Sequence, residues 1–406
     1  MKKLLGMATA LFLSCTPPAT AQQGATTDRV VRATNSFLAL LDPKERQRVL
    51  YAFDDNEQRR RWSNLPTTFV PRGGISLKEM TPAQREAAMA ILAAVLSPRG
   101  LEKVREIMEG DEVNKLTDKG PGGGPGGWPP RGSQPDGSPG GGPRPGGPDN
   151  GGPPPGGPDD GRPHPGLNDK GPPPGAGGAR RGLFGDEAMF GRDLYYLSLL
   201  GTPSEKEPWM LQFGGHHLAL NITIAGEHGV LTPTLTGAQP ALYTVNGKVV
   251  RPLGEESDKG FALLQSLDPK QRKQAILSYH LADLVLGPGQ DGKTIVPEGL
   301  KASAMNERQR ALLLDLMGEW AGIMNESAAT GRMAELKADL NETWFAWSGP
   351  VTVTPGTNIT AYYRVQGPHV VIEYAPQGLG GDPALHVHTM YRDPTNDYGK
   401  KLTVAQ

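Results

Sequence analysis

The chain has 406 residues and a single cysteine, Cys15. That cysteine lies in an N-terminal stretch that reads as an export signal. Lys2 and Lys3 are followed by the apolar run Leu4 to Leu13 and the small-residue site Ala19-Thr20-Ala21. Cleavage after Ala21 would give a mature protein beginning at Gln22 with no thiol. Disulfides, thiolate metal sites and cysteine nucleophiles are then excluded, and any metal must be held by His, carboxylate or backbone oxygen. A lipid anchor on Cys15 is the weaker alternative, because Phe12 departs from the usual lipoprotein box. Long apolar runs are missing too. Leu4 to Leu13 is too short to cross a bilayer, and no later run is long enough. Charge of one sign is also lacking: the formal net charge is −1, so the basic footprint of a nucleic-acid binder is absent. There is no GxSxG elbow, no phosphate-binding loop and no dinucleotide fingerprint. The expected setting is secreted or periplasmic, with no transmembrane segment and no nucleic-acid partner.

Glycine and proline, by contrast, are abundant, at 55 and 39 residues. Many of them are concentrated between Pro121 and Gly178, a tract with too few apolar side chains to build a core. It reads as a disordered insertion, and it includes Trp128 and His164. Before it, residues 22–120 carry helical spacing, with Asp42-Pro43, Thr81-Pro82 and Ser97-Pro98 as helix starts. After it, residues 179–254 read as strands: Arg192 to Leu200, Trp209 to Phe213, His216 to Ile224 and a short edge strand Val249 to Leu253. Residues 255–340 return to helical spacing, including a helix Gln274 to Leu286 that carries His280. Residues 341–406 again read as strands.

The chain also repeats itself. LDPKER from Leu41 matches LDPKQR from Leu267, and MTPAQR from Met80 matches MNERQR from Met305. Tyr195-Tyr196 then falls opposite Trp344-Phe345, and Gly214-Gly215-His216 opposite Gly367-Pro368-His369. Such order implies duplication, with the Gly/Pro tract inserted in the first half. The expected fold is α+β: two halves, each a helical unit followed by an antiparallel strand unit, with the strand units joined in one sheet or barrel.

The chemistry gathers in two places. In LHVHTMYRDPTNDYG (Leu385 to Gly399), His386 and His388 sit two apart and share one face of a strand. Neutral imidazoles on one face form half of a site for zinc, copper or iron. In GGHHLALNI, His216 and His217 are adjacent and face opposite sides. His217 shares a face with Ala219 and Asn221. His216 shares one with Leu218, Leu220 and Ile222, which favours His217 as ligand and His216 as a buried, hydrogen-bonded ring. Both remain candidates, because a bulge after Gly214-Gly215 would reorient either. His369 and Glu373 share another strand face, with Glu373 a possible partner for a ligand imidazole. His228 reads as turn material. The expected metal ligands are therefore His216, His217, His386 and His388, converging where the strand units meet. Arg392, Asp393 and Asp397 are candidate catalytic groups at its rim, Asp393 or Asp397 as general base and Arg392 steadying negative charge.

These blocks resemble a known family, the one catalogued as domain of unknown function 3500. The resemblance rests on PWMLQFGGHHLALN (Pro208 to Asn221), TPTLTGAQP (Thr232 to Pro240) and LHVHTMYRDPTNDYG. It extends over the mature chain apart from the Gly/Pro tract. It implies kinship and no established activity. Three functional readings therefore stand. One is a secreted metal-dependent enzyme, hydrolytic or redox. Another is a non-catalytic binding protein for an anionic or sugar ligand, tethered by the Gly/Pro tract to a matrix. The last is a metal-free structural role for the histidines.

Overall fold

The computed structural model describes residues 19–117, 189–378 and 381–403. The stretch up to Pro18, with Cys15, which is most of the expected export signal, and the Gly/Pro tract with Trp128 and His164 lie outside the described residues.

Helix starts follow from side chains that satisfy the free N–H groups of a first turn. Helix α1 spans Ala19–Ala39. Asp42 caps α2 (Pro43–Val49) in a capping box with Glu45. Strand β1 (Leu50–Tyr51), helix α3 (Asn56–Arg59) and strand β2 (Ile75–Ser76) follow. Thr81 forms a second box with Gln84 at the head of α4 (Pro82–Val95), and α5 runs Pro98–Thr117. Strands β3 (Tyr196–Leu200), β4 (Trp209–Gly214), β5 (Leu218–Ala225), β6 (His228–Val230) and β7 (Thr234–Ala238) come next. A separate hairpin, β8 (Tyr243–Val245) and β9 (Lys248–Val250), turns at Asn246-Gly247, both with positive φ. Helices α6 (Gly254–Ser266) and α7 (Pro269–Ala275) follow, the second boxed by Asp268 and Gln271. Strand β10 (Leu300–Lys301) leads to α8 (Glu307–Ala321), boxed by Asn306 and Gln309, and α9 (Glu326–Ala338). The chain ends in β11 (Trp344–Ser348), β12 (Tyr362–Gly367), β13 (Val370–Pro376), β14 (Val387–Arg392) and α10 (Lys400–Thr403).

The fold is α+β, as the sequence led us to expect. Twelve strands form one sheet in the order β1-β3-β4-β5-β7-β14-β13-β12-β11-β10, with β2 on β3 and β6 on β5. All its pairs are antiparallel except β1 with β3. The two runs of strands meet where β7 pairs with β14.

Residue alternation divides this sheet into two unlike faces. Leu197, Phe213 and Leu220 lie side by side, as do Val365, Ile372 and Tyr391. These belong to the main core, which they share with Phe37, Ile91, Leu92, Leu316 and Trp320 of the helices. The other face is polar yet buried: Ser198, Gln212, Asn221, Arg364, Glu373, His388 and Arg392. Loops cover it. Gln58 donates to Ser198 and Gln212 at 3.1 and 3.0 Å. Glu373 accepts from the N–H groups of Val285 and Leu286 and from the Tyr362 hydroxyl.

Two expectations need correction. The helix Gln274 to Leu286 does not form: α7 stops at Ala275. The Leu277 N–H donates to the Trp347 carbonyl, and Glu373 takes those of Val285 and Leu286, so the sheet claims the donors a helix would use. His280 is thus an exposed loop residue. The strand Val249 to Leu253 is instead the short second arm of the β8–β9 hairpin, off the main sheet.

Gly299 precedes β10 with φ +96°, and a Cβ there would collide with the Phe345 carbonyl oxygen. Backbone of this hand strains any other residue by about 1–3 kcal/mol. Gly299→Ala is expected to lower the thermal midpoint by several degrees in calorimetry, more than Gly356→Ala, where a Cβ meets open space.

Candidate metal centre

The junction of β5, β7 and β14 sets three imidazoles together. Gly237 donates its N–H to the His217 carbonyl at 2.7 Å, which carries the β5–β7 pairing one residue beyond Leu218. On its other side Gly237 faces His388 in register. Directly paired residues share a face, so His217 and His388 stand on either side of a residue with no side chain. A Cβ on Gly237 would lie 2.8 Å from Cδ2 of His388 and 3.2 Å from Cδ2 of His217. His386, two residues before His388 at the entry to β14, completes the group.

Nε2 of His386 lies 3.4 Å from Nε2 of His217 and 3.1 Å from Nε2 of His388. A tetrahedral ion with metal–nitrogen distances of about 2.0–2.1 Å sets its ligand atoms roughly 3.3 Å apart. The spacing of these nitrogens therefore suits one ion, and the three rings are all buried. Burial and the neighbouring rings of His386 and His217 push the His388 pKa well below its ordinary value. The ring is thus neutral at pH 7, the form a metal requires.

A second layer orients the rings. Nδ1 of His217 lies 2.6 Å from Oδ1 of Asp111, and Oδ2 of Asp111 accepts from the Tyr195 hydroxyl at 2.6 Å. The carboxylate holds a proton on Nδ1 and leaves the Nε2 lone pair aimed at the other rings. Nδ1 of His388 lies 3.3 Å from the Asn64 amide nitrogen. With that amide turned over, Oδ1 accepts from Nδ1–H and Nε2 is free to ligate. Asn64 is held by its loop, where Arg72 donates to the carbonyls of Ser63, Leu65, Val70 and Gly215. Burial pushes the Arg72 pKa down to about 10, still above neutrality.

His216 is placed differently. Its ring packs on His217 at a centroid distance of 3.8 Å and on Phe190 at 5.1 Å. Its Nδ1 is buried without a hydrogen-bond partner. With Asp111 and His217, His216 makes a second group whose candidate ligand atoms lie within 4.8 Å of one another.

The RDPTNDYG block ties the scaffold together. Arg392 donates Nε to the Leu286 carbonyl, Nη2 to that of Gly287 and Nη1 to Asp291 and Asp397. Asp397 also accepts from the Asp393 N–H, while Asp393 accepts from Thr395 and lies 3.4 Å from Arg332. Tyr398 donates to Asp291 and accepts from Trp62 Nε1. On β14, Met390 stands between His388 and Arg392 on the same face, packed with Trp62, Ala219 and Leu235. Arg392 is thus about 13 Å along the strand from His388, at roughly 3.3 Å per residue. His369 is half-buried and bonds Thr395, and Glu373 holds the loop at Leu286.

Asp111, Tyr195, Asn64, Arg72 and Gly237 were not singled out as site residues from the sequence. Asp111 carries no local signal, as one acid among several in α5. Gly237 had one: it breaks the otherwise apolar or hydroxyl-bearing strand of TPTLTGAQP.

Gly237→Ala is expected to force the His217 and His388 rings apart. Overpacking of this kind costs about 1–3 kcal/mol. Its thermal midpoint should fall and its metal affinity with it, measured by calorimetry and metal titration.

The metal-free protein should also lose stability in acid. His216 and His388 are both held below their ordinary pKa, chiefly by burial. Their unfolded forms take up protons near pH 6.5 while the folded forms stay neutral. Unfolding thus consumes protons, so stability is full above about pH 6.5 and falls as pH drops below it. Tm should decline between about pH 7 and 5, less steeply in His388→Phe.

The family model described as protein of unknown function (DUF3500) matches residues 23–400. No curated protein and no solved structure matches the chain. The match takes in both histidine blocks, the strands that join them and the loops that cover them, and on it the chain belongs to the DUF3500 family.

Proposed function

We propose that the protein holds a divalent transition metal, zinc, copper or iron, on His217, His386 and His388, and that it is an exported metal-dependent enzyme. The observation that carries this is the convergence of three buried imidazole nitrogens at the spacing of tetrahedral ligands. Three protein ligands leave a further position for water or substrate. Such an ion would supply Lewis acidity if zinc, or electron exchange if copper or iron. The protein's own part is orientation. Asp111 fixes the tautomer of His217, Tyr195 fixes Asp111, and Asn64 steadies His388.

Arg392, Asp393 and Asp397 enter this reading as the groups that hold the covering loops and the C-terminal turn. The four hydrogen bonds of the Arg392 guanidinium to protein groups support that assignment over direct contact with substrate. The centre lies under loops, with His386 and His388 almost wholly covered, which favours a small substrate.

Duplication belongs to the same proposal. The strand order reads alike outward from the β7–β14 pair. Asp42 and Asp268 cap matching short helices, and Leu50 and Ile276 follow them into parallel pairing with Leu199 and Trp347. Gly74 and Gly299, with φ of +94° and +96°, precede the matching strands β2 and β10. The register sets Tyr196 against Trp344 and Leu197 against Phe345, one residue along from the pairing read in the sequence. Two copies joined through β7 and β14 would place one histidine block from each at the seam. Export through residues 1–21, a Gly/Pro insertion at 121–178 and unit boundaries near 254 and 340 complete the proposed organisation.

Elemental analysis of the purified protein tests the centre. At least one equivalent of transition metal per chain is expected, and its loss in the double variant His386→Ala, His388→Ala with the far-ultraviolet circular dichroism kept. A metal-free wild type that also takes up no zinc, copper or iron on dialysis would sink the proposal.

A further inference from the structure

We propose a second cation position beside the first, on Asp111, His216 and His217, with the His217 ring bridging the two. This rests on the three-histidine centre proposed above and extends it. Three observations lead to it. One ligating atom from each of Asp111, His216 and His217 lies within 4.8 Å of the others, and all three residues are buried. His216 Nδ1 is buried with no hydrogen-bond partner, a costly state for a polar atom unless something supplies the missing contact. His217 turns its two nitrogens to two different groups: Nε2 to His386, and Nδ1 to Asp111. It is the single residue common to both ligating sets.

Asp111 presents Oδ1 to His217 while Oδ2 is held by the Tyr195 hydroxyl, so the carboxylate is already aimed. Arg72, whose charge bears on His216, has its guanidinium committed to backbone carbonyls. Phe190 packs against the His216 ring at a centroid distance of 5.1 Å.

Without an ion, a proton sits between Nδ1 of His217 and Oδ1 of Asp111, at 2.6 Å. A divalent ion takes the place of that proton. The Nδ1–H bond breaks, the proton leaves to solvent, and dative bonds form from Nδ1, from Oδ1 and from a ring nitrogen of His216. No electron changes hands. The nitrogen–oxygen separation must widen to the roughly 3.3 Å edge of a coordination tetrahedron, a shift of well under an ångström for a carboxylate and a ring. His217 then bridges as an imidazolate, its negative charge shared between two cations.

The test is a metal titration of the full chain, stripped of metal and loaded with Cu2+ or Zn2+. The wild type should bind two equivalents, and His216→Ala should bind one. Where His216→Ala does not fold, His216→Phe keeps the ring stack and should also bind one. Filling the second position in unbuffered solution should release about one proton per chain beyond the first step. With Cu2+, the isolated-ion electron paramagnetic resonance signal of the first equivalent should collapse as the second couples to it, and should persist in the His216 variants. One equivalent in the wild type would overturn the second position and leave the three-histidine centre standing. Two equivalents in both the wild type and the His216 variants would place the second ion elsewhere and overturn it too. No binding at all would overturn both readings.

Discussion

The pairing of β7 with β14 is the contact on which the rest depends. It joins two runs of strands into one sheet. Its register, Gly237 against His388 and Thr236 against Thr389, decides which side chains meet across the seam. A slip of one residue would turn His388 to the helical face and Thr389 to the loops. The apolar face guards against such a slip. Thr389 shares a hydrogen bond with Thr236 there and accepts another from the Trp320 indole. The polar face is therefore kept in order by contacts made on the other side of the sheet.

That polar face is unusual in being both ionisable and covered. Buried polar groups must be paired, because each unpaired one costs about 1–3 kcal/mol. Here the pairing falls largely to loop backbone. Arg72 binds carbonyls around Ser63 and Leu65, Arg392 binds those of Leu286 and Gly287, and Glu373 binds the N–H groups of Val285 and Leu286. The loops owe their shape to charged side chains projecting from the sheet or from the loop itself. They need little regular structure of their own, which is why the helical spacing after Gln274 misleads.

Much of this was legible in the sequence. Asp42-Pro43 and Asp268-Pro269 announce helix starts, and both are capped as their chemistry requires. The His-x-His spacing places both rings on one strand face, and the parity of GGHHLALNI aims His217 to the side of Ala219. What could not be read is what arrives from elsewhere. Asp111 comes from α5, far away in sequence, with nothing local to mark it. Arg392 looks reactive beside two aspartates. Only in the fold do Asp291 and two carbonyls reach it. Spacing fixes the direction of a side chain, but its partners belong to topology.

The distance in sequence between the histidines has a consequence for the order of events during synthesis. His217 and His386 are 169 residues apart, and His217 and Asp111 are 106 apart. No fragment emerging early contains the full ligand set, and β14 is the last strand of the sheet. The centre therefore assembles only when the C-terminal strand docks on β7. An ion that binds the finished set adds its binding free energy to the folded state alone. On the three-histidine set it would act as a latch on completed chains.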